Sequence, residues 1–452
     1  MSIYLLMITL AIGVFVSVLL THRDYLSAPV VICLSFFGAT IMADIYSDVW
    51  LLDLSDNTAF VVAGGIYSFL IGYFVFYNKK KIEHLDFCRK IYSFKINKLF
   101  LITFFIVELI GVLGSYMYMN EVAAVVGITG DLSERIGAAH LVIMAQNPNY
   151  VLPEKPKIMI YLNEFAFVGT LFAIYIATYL FVIKKKISIL AIFSIILYSI
   201  NYIFVGSRYG IVSIIIACIV NYYIFVMKKN NWLINISFFQ MIKYIVALIV
   251  CMFAFPLSLM MLGRSDNDLT VDAVGAIVQE ACYSLAVYFG AEIKLLDIYL
   301  NNEFIVKNDN SPFLGHTFAR VYDSLAKIFN ETSWLNISTQ DIPFNFVNGM
   351  FLGNVYTMFR PFLADVGYLG VVIFPFVMGS FFAIIYNNIT STGKFEKGIN
   401  GYIILYSSLY YCIPLSVFGN AFFYQVNTAA VRYLFYYYVI DKFIIKTKES
   451  RK

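Results

Sequence analysis

The sequence predicts an all-α, polytopic integral membrane protein of about 11 transmembrane helices, with one large helical loop on the outer side. Three observations predict it. Of 452 residues, 61% are hydrophobic and only 13% charged, outside the range of soluble domains. Apolar runs close to the ~20 residues needed to cross a hydrocarbon core recur along the chain. Lys and Arg are sorted by loop rather than gathered on one face, which argues against nucleic acid as a partner and makes the lipid bilayer the expected solvent.

The expected spans are 3–20, 28–46, 58–77, 99–119, 158–183, 187–205, 210–227, 241–262, 366–386, 401–418 and 428–445. The first lacks a basic leader and a small-residue cleavage site, so it reads as a retained span. Orientation follows from the basic loops, because Lys and Arg concentrate on the cytoplasmic side. With the N-terminus outside, 21 of the 32 basic residues lie inside, 10 lie outside and Arg432 falls within the last span. The inside set includes Lys79, Lys80, Lys81, Arg89 and Lys90, the triad Lys184 to Lys186, Lys228, Lys229, and the tail from Lys442.

This organisation divides the chain into three parts. Residues 1–262 hold eight spans with a medium outer loop at 120–157, residues 263–365 form the large outer loop, and residues 366–452 hold three spans and a basic tail. Within the large loop, 273–300 has a helical pattern. A crossing there would put the Lys-rich tail outside, so a helix lying at or dipping into the outer surface is expected, in keeping with Glu280, Glu292 and Lys294.

Polar groups at membrane depth are expensive and therefore lead the list of functional candidates. Arg208, in the turn "FVGSRYG", reads either as a snorkelling anchor or as an anion site, since a guanidinium stays charged and its planar fork fits phosphate oxygens. Arg264, Arg320 and Arg360 in the large loop are candidates for a diphosphate, or ion-pair partners of that loop's carboxylates. Arg432 must face a partner or a wet cavity, and reads either as the structural partner of Glu164 or another buried acid or as a functional cation. Candidate general bases are His316, Asp365, Glu280, Asp297 and Glu292, with His140 weaker. Asp365 alternatively serves as a helix N-cap.

No metal and no cofactor is expected. Cys33, Cys88, Cys218, Cys251, Cys282 and Cys412 form no Cys-x-x-Cys pair. Asp266 and Asp268 spell Asp-x-Asp, but in a polar "RSDND" turn that reads as a solvated loop. The first outer loop, "SDVWLLDLSDN", has no acidic pair of the kind metal-dependent lipid-linked glycosyltransferases carry there.

The segment "GNVYTMFRPFLADVGYLG", 353–370, resembles the Asn-x-Tyr-Thr … Asp-Phe-Gly-x-x-Gly signature of oligosaccharide repeat unit polymerases, the Wzy-type O-antigen and capsule polymerases, with Val366 where Phe is usual. "FVGSRYG" resembles the Gly-Ser/Thr-Arg turn these proteins carry midway. Arg264 followed by Gly275 also fits a pattern reported for some of them. The resemblance implies a metal-independent architecture similar to GT-C-like polymerases and ligases. It implies an enzyme of the bacterial cytoplasmic (inner) membrane whose active site faces outward. A growing glycan on undecaprenyl diphosphate would pass to the non-reducing end of a new lipid-linked repeat unit, releasing undecaprenyl diphosphate. Arg208, Arg264, Arg320, Arg360 and Arg432 would contact the diphosphate, and His316 or Asp365 would stand near the acceptor. The lipid-linked oligosaccharides are the partners implied, and a chain-length regulator is left open. The rival readings are an O-antigen ligase and a repeat-unit flippase or other transporter.

Overall fold

The computed structural model describes residues 2–78, 94–96, 98–145, 152–205, 208–230, 232, 282–283, 286–301, 311–335, 337, 345–391 and 399–447. The described residues are mostly helical, as an all-α membrane protein requires, since a helix satisfies its own backbone polar groups in lipid. Seven described helices are long and apolar enough to cross a membrane. They are α1 (Ser2–Leu20), α2 (Ala28–Ile45), α3 (Asp56–Phe76), α4 (Lys98–Val125), α6 (Lys157–Val182), α8 (Arg208–Lys229) and α12 (Tyr368–Ser391). Two expected spans form shorter apolar helices, α7 (Ile189–Phe204) and α13 (Gly401–Leu409). The last, α14 (Thr428–Ile444), has 17 residues and carries Arg432. The expected span 241–262 lies outside the described residues. The remaining helices, α5 (Leu132–Ala145), α9 (Ala291–Asn301), α10 (Ala319–Phe329) and α11 (Phe359–Val366), belong to the expected outer loops.

The chain forms two compact units. The first comprises Met1–His84, Cys282–Asn388 and Leu409–Ala430. Its packing begins on one face of α3, where Gly65, Ser68 and Gly72 recur at helical spacing. A β-carbon on Gly72 would collide with the Phe376 carbonyl oxygen of α12, and one on Gly379 with the Phe69 carbonyl oxygen of α3. The two backbones therefore touch, as small residues allow in membrane bundles. The Ser68 and Ser380 hydroxyls donate across the same crossing to the Val372 and Gly72 carbonyls.

The expected ninth span, 366–386, is α12, which starts two residues later and is preceded by a separate short helix. Helix α11 ends at Val366, Gly367 turns the chain at φ +65°, and α12 starts at Tyr368. Phe359 of α11 fills the notch left by Gly65 and lies 5.5 Å from the Phe36 ring centroid. Both residues are near the middle of their helices, so α11 dips to the level of the centres of α2 and α3. The expected tenth span is also interrupted: α13 gives way to 3-10 turns at Tyr410–Cys412, Pro414–Val417 and Phe423–Gln425. Pro414 lacks a backbone N–H and ends the regular ladder. The freed groups find other partners, among them the Met358 N–H on the Ser416 carbonyl at 2.9 Å.

The expected helix at 273–300 breaks, in its described part, at Gly290, which lies against the Met42–Ala43 backbone of α2. Beyond it α9 packs on α2 and α3. Asp297 accepts from the Ser55 N–H (3.0 Å), the Ser55 hydroxyl (2.7 Å) and the Thr58 hydroxyl (2.8 Å) at the start of α3. Lys294 Nζ donates to the Leu51 carbonyl at 2.8 Å.

The second unit comprises Leu85–Ala281, Ile389–Ser408 and Val431–Lys452. Helices α4, α6, α7 and α8 pack together, and α5 covers the end of α4 through Met119, Val122, Ile136, Ala139 and Val142. Strand β1 (Phe94–Ile96) pairs antiparallel with β4 (Ile445–Thr447), Phe94 opposite Thr447. That pairing brings the approach to α4 beside the segment that follows α14.

The glycine crossing predicts an opposed pair of substitutions. Gly72→Ala forces α3 and α12 apart and should cost ~1–3 kcal/mol, the usual penalty of overpacking. Gly64→Ala, next to that face with nothing within 4 Å of its β-carbon, should be neutral or slightly stabilising. Thermal unfolding in detergent measures both.

Candidate functional site

In the first unit, the conformation of the segment 353–370 gathers several polar side chains. A two-stranded hairpin, β2 (Asn345–Val347) and β3 (Met350–Gly353), leads into it. Tyr356 follows, accepting a hydrogen bond from Asn345 Nδ2 at 2.8 Å. Arg360, in the first turn of α11, is only 5% exposed. Its Cζ lies 5.5 Å from the Tyr299 ring centroid and 5.3 Å from that of Tyr356, within cation–π range of both faces. The two rings meet edge to face at 6.1 Å.

Asp365 lies in the last turn of α11 and is not a helix N-cap. Its Oδ1 accepts from the His316 backbone N–H at 3.1 Å and its Oδ2 from that of Thr317 at 2.6 Å. The Thr317 carbonyl in turn accepts from Asn420 Nδ2 at 2.9 Å. Four rings, Phe318, Phe362, Phe374 and Phe423, pack edge on or tilted at 4.9–6.3 Å between centroids. They join the His316 loop, α11, α12 and the Phe423–Gln425 turn, so the position of His316 follows from apolar packing as well as from Asp365. His316 itself is buried.

Tyr424, missed in the sequence, is placed by that turn. Burial pushes its phenol up to about 12, with the charges of Arg360 and Arg320 drawing it down and those of Asp365 and Asp323 pushing it up. At neutral pH it is therefore a neutral donor inside a field of two guanidinium and two carboxylate groups. Burial also raises the Tyr356 phenol, against the Asn345 hydrogen bond and the nearby Arg360 charge. A tyrosine among 35 in the sequence carries no mark of such a role; the adjoining turn residues Asn420 and Asn427 were the available local signal.

The other expected residues are placed as follows. Arg320 is exposed and faces Asp323 one turn away at 3.4 Å. Arg208 is the first residue of α8 in the second unit. Arg264, Glu280, Asp266 and Asp268 lie outside the described residues. Arg432, also in the second unit, gives its fork to Glu164, with Nε to Oε2 and Nη2 to Oε1 both at 2.6 Å. That is the structural pairing expected beside the diphosphate role, and Tyr161 adds a ring face 5.8 Å away. The same unit holds a carboxyl that the sequence reading passed over. Glu108 of α4 is fully buried and accepts from Thr170 at 2.7 Å and Ser194 at 3.0 Å.

Comparison with known proteins finds no matching family model, no matching curated protein and no matching solved structure.

Glu292 of α9 is fully buried, and among the described residues its carboxyl oxygens accept no hydrogen bond from another residue. Burial holds its pKa well above the ordinary value of 4.5, only partly offset by its own backbone N–H. The folded state thus binds a proton that the unfolded chain releases above about 4.5, so stability is lost as pH rises through that window. Glu292→Gln should raise the unfolding temperature at pH 7 to 8 and change it little at pH 4. Unfolding scans across pH test this.

Proposed function

We propose that this chain polymerises undecaprenyl-diphosphate-linked oligosaccharide repeat units on the outer face of a bacterial cytoplasmic membrane. The observation that carries the reading is Arg360: a buried guanidinium between two tyrosine rings, on a short helix dipping to mid-span depth. It belongs to the same segment, 353–370, that resembles the polymerase signature. A cation held there without bulk water favours the diphosphate of a lipid-linked glycan and the charge that develops as it leaves.

In this scheme the bond between the glycan's anomeric carbon and the diphosphate oxygen breaks. A new bond forms to the acceptor hydroxyl, whose proton passes to a base. Arg360 stabilises the departing diphosphate, and the Tyr424 phenol donates to the same charge. His316 is the base that the geometry favours, because Asp365 already uses both oxygens on the backbone of the His316–Thr317 turn. Asp365 is then a positioning residue. Arg320 stands at the exposed rim.

Purified protein should lengthen lipid-linked repeat units without nucleotide sugar. Arg360→Ala should slow elongation ~10²–10³-fold, the loss typical of one oxyanion-type donor. Arg360→Lys should not restore the rate, since an ammonium lacks the planar fork. Elongation undiminished in both variants would overturn the assignment.

Arg432 is assigned to structure. Arg432→Gln alone strands Glu164 and should lower stability, whereas the double variant Glu164→Gln/Arg432→Gln should recover both folding and elongation. Loss of elongation in a well-folded double variant would return Arg432 to the substrate.

A second reading, a transporter of lipid-linked sugars, draws on the interrupted helix at 410–427 and the dipping α11, since discontinuous helices at membrane depth are common in transporters. Reconstituted vesicles separate the two. Repeat units supplied on the outside are elongated by a polymerase, whereas a transporter moves them across the bilayer without lengthening them.

A further inference from the structure

From Phe165 to Trp232 the chain contains no Asp or Glu, and its basic residues there are Lys184, Lys185, Lys186, Arg208, Lys228 and Lys229. The lysines meet at one end of the second unit. Three follow the C-terminus of α6, two form the last turn of α8, and Lys229 Nζ donates to the Val182 carbonyl at 3.3 Å. This is the end that the basic-loop rule assigns to the cytoplasm.

Beneath the lysines, α6, α7 and α8 leave a groove of about 270 Å³. Ile174 and Phe181 of α6, Ile192 and Ile195 of α7, and Cys218 and Tyr222 of α8 line it. Ile174 to Phe181 extends about 10 Å along α6 at 1.5 Å per residue.

The backbone at the mouth turns left-handed, as it does at seven other non-glycine positions among the described residues. Lys185 adopts φ +54°, and the Lys186 N–H donates to the Leu180 carbonyl at 3.0 Å, closing the end of α6 through a left-handed residue, a conformation that glycine adopts most readily. A cation occupies a position that the backbone alone would give to glycine, and Lys185 and Lys186 are both exposed. Attraction to the helix-terminal carbonyls accounts for lysines near the ends of α6 and α8, but not for one placed in this conformation over an apolar groove.

We propose that this groove binds an acyl chain of an anionic phospholipid whose headgroup phosphate is held by Lys185 and Lys186. A soluble phosphate would engage the lysines and leave the groove unfilled, and a neutral lipid would fill the groove without meeting the charge. Basic pockets between membrane helices on the cytoplasmic side select anionic headgroups in this way.

Native mass spectrometry of the full-length protein in detergent, titrated with phosphatidylglycerol, phosphatidylcholine or glycerol phosphate, tests the site. Phosphatidylglycerol should bind at least ~10-fold more tightly than either of the others, given about fivefold per lysine at a membrane surface. Lys185→Gly suits the left-handed backbone, so it should unfold at a higher temperature in detergent while losing about fivefold in phosphatidylglycerol affinity. Ile192→Trp, which fills the groove, should weaken phosphatidylglycerol binding with the lysines intact. Equal affinity for the two lipids, glycerol phosphate binding as tightly as phosphatidylglycerol, or undiminished phosphatidylglycerol affinity in either variant would each overturn the proposal.

Discussion

Backbone-to-backbone contact between α3 and α12, at Gly72 and Gly379, sets the geometry of the first unit. Lipid tails are as apolar as leucine, so membrane helices gain little from burying apolar side chains against one another and depend on close packing instead. With no side chain at either glycine, the helices meet at van der Waals distance and Ser68 and Ser380 can bond across the crossing. Gly65, two turns before Gly72, leaves the notch that admits Phe359. The depth of α11, and so the burial of Arg360, follows from that notch.

Irregular backbone at membrane depth must have its N–H and C=O groups satisfied within the protein. The first unit meets this demand with side chains and turn carbonyls. Asp365 serves two N–H groups, Asn420 serves the Thr317 carbonyl, and Ser416 serves Met358. These bonds tie α11, the His316 loop and the 410–427 segment into one polar cluster, framed by the four phenylalanine rings. Glu292 contrasts with it, having no hydrogen bond from another residue among the described residues and being held neutral chiefly by burial.

Three arginines with similar claims in the sequence have different surroundings. Arg432 is bound bidentately by Glu164, Arg320 is exposed beside Asp323, and Arg360 is buried between Tyr299 and Tyr356. The burial of Arg360 rests on aromatic faces contributed by α9 and by the link from β3. Those faces suit a buried guanidinium, because the negative face of an aromatic ring attracts a cation.

Apolar runs and sparse charge by themselves determined that the chain is a bundle of membrane helices, because span length and hydropathy are local properties of sequence. Local patterning also marked 353–370, and paired Arg432 with Glu164 as one option. Helix interruption was less legible: residues 401–418 are apolar enough to span, yet the helix breaks after Leu409, and residue 366 reads as the start of a span although Gly367 turns the chain there. The aromatic cradle of Arg360 and the placement of Tyr424 were decided only by tertiary structure. Tyr299, Tyr424 and the pair Tyr356 and Arg360 come from three separate segments, and their meeting depends on the glycine contacts through which α3, α11 and α12 approach.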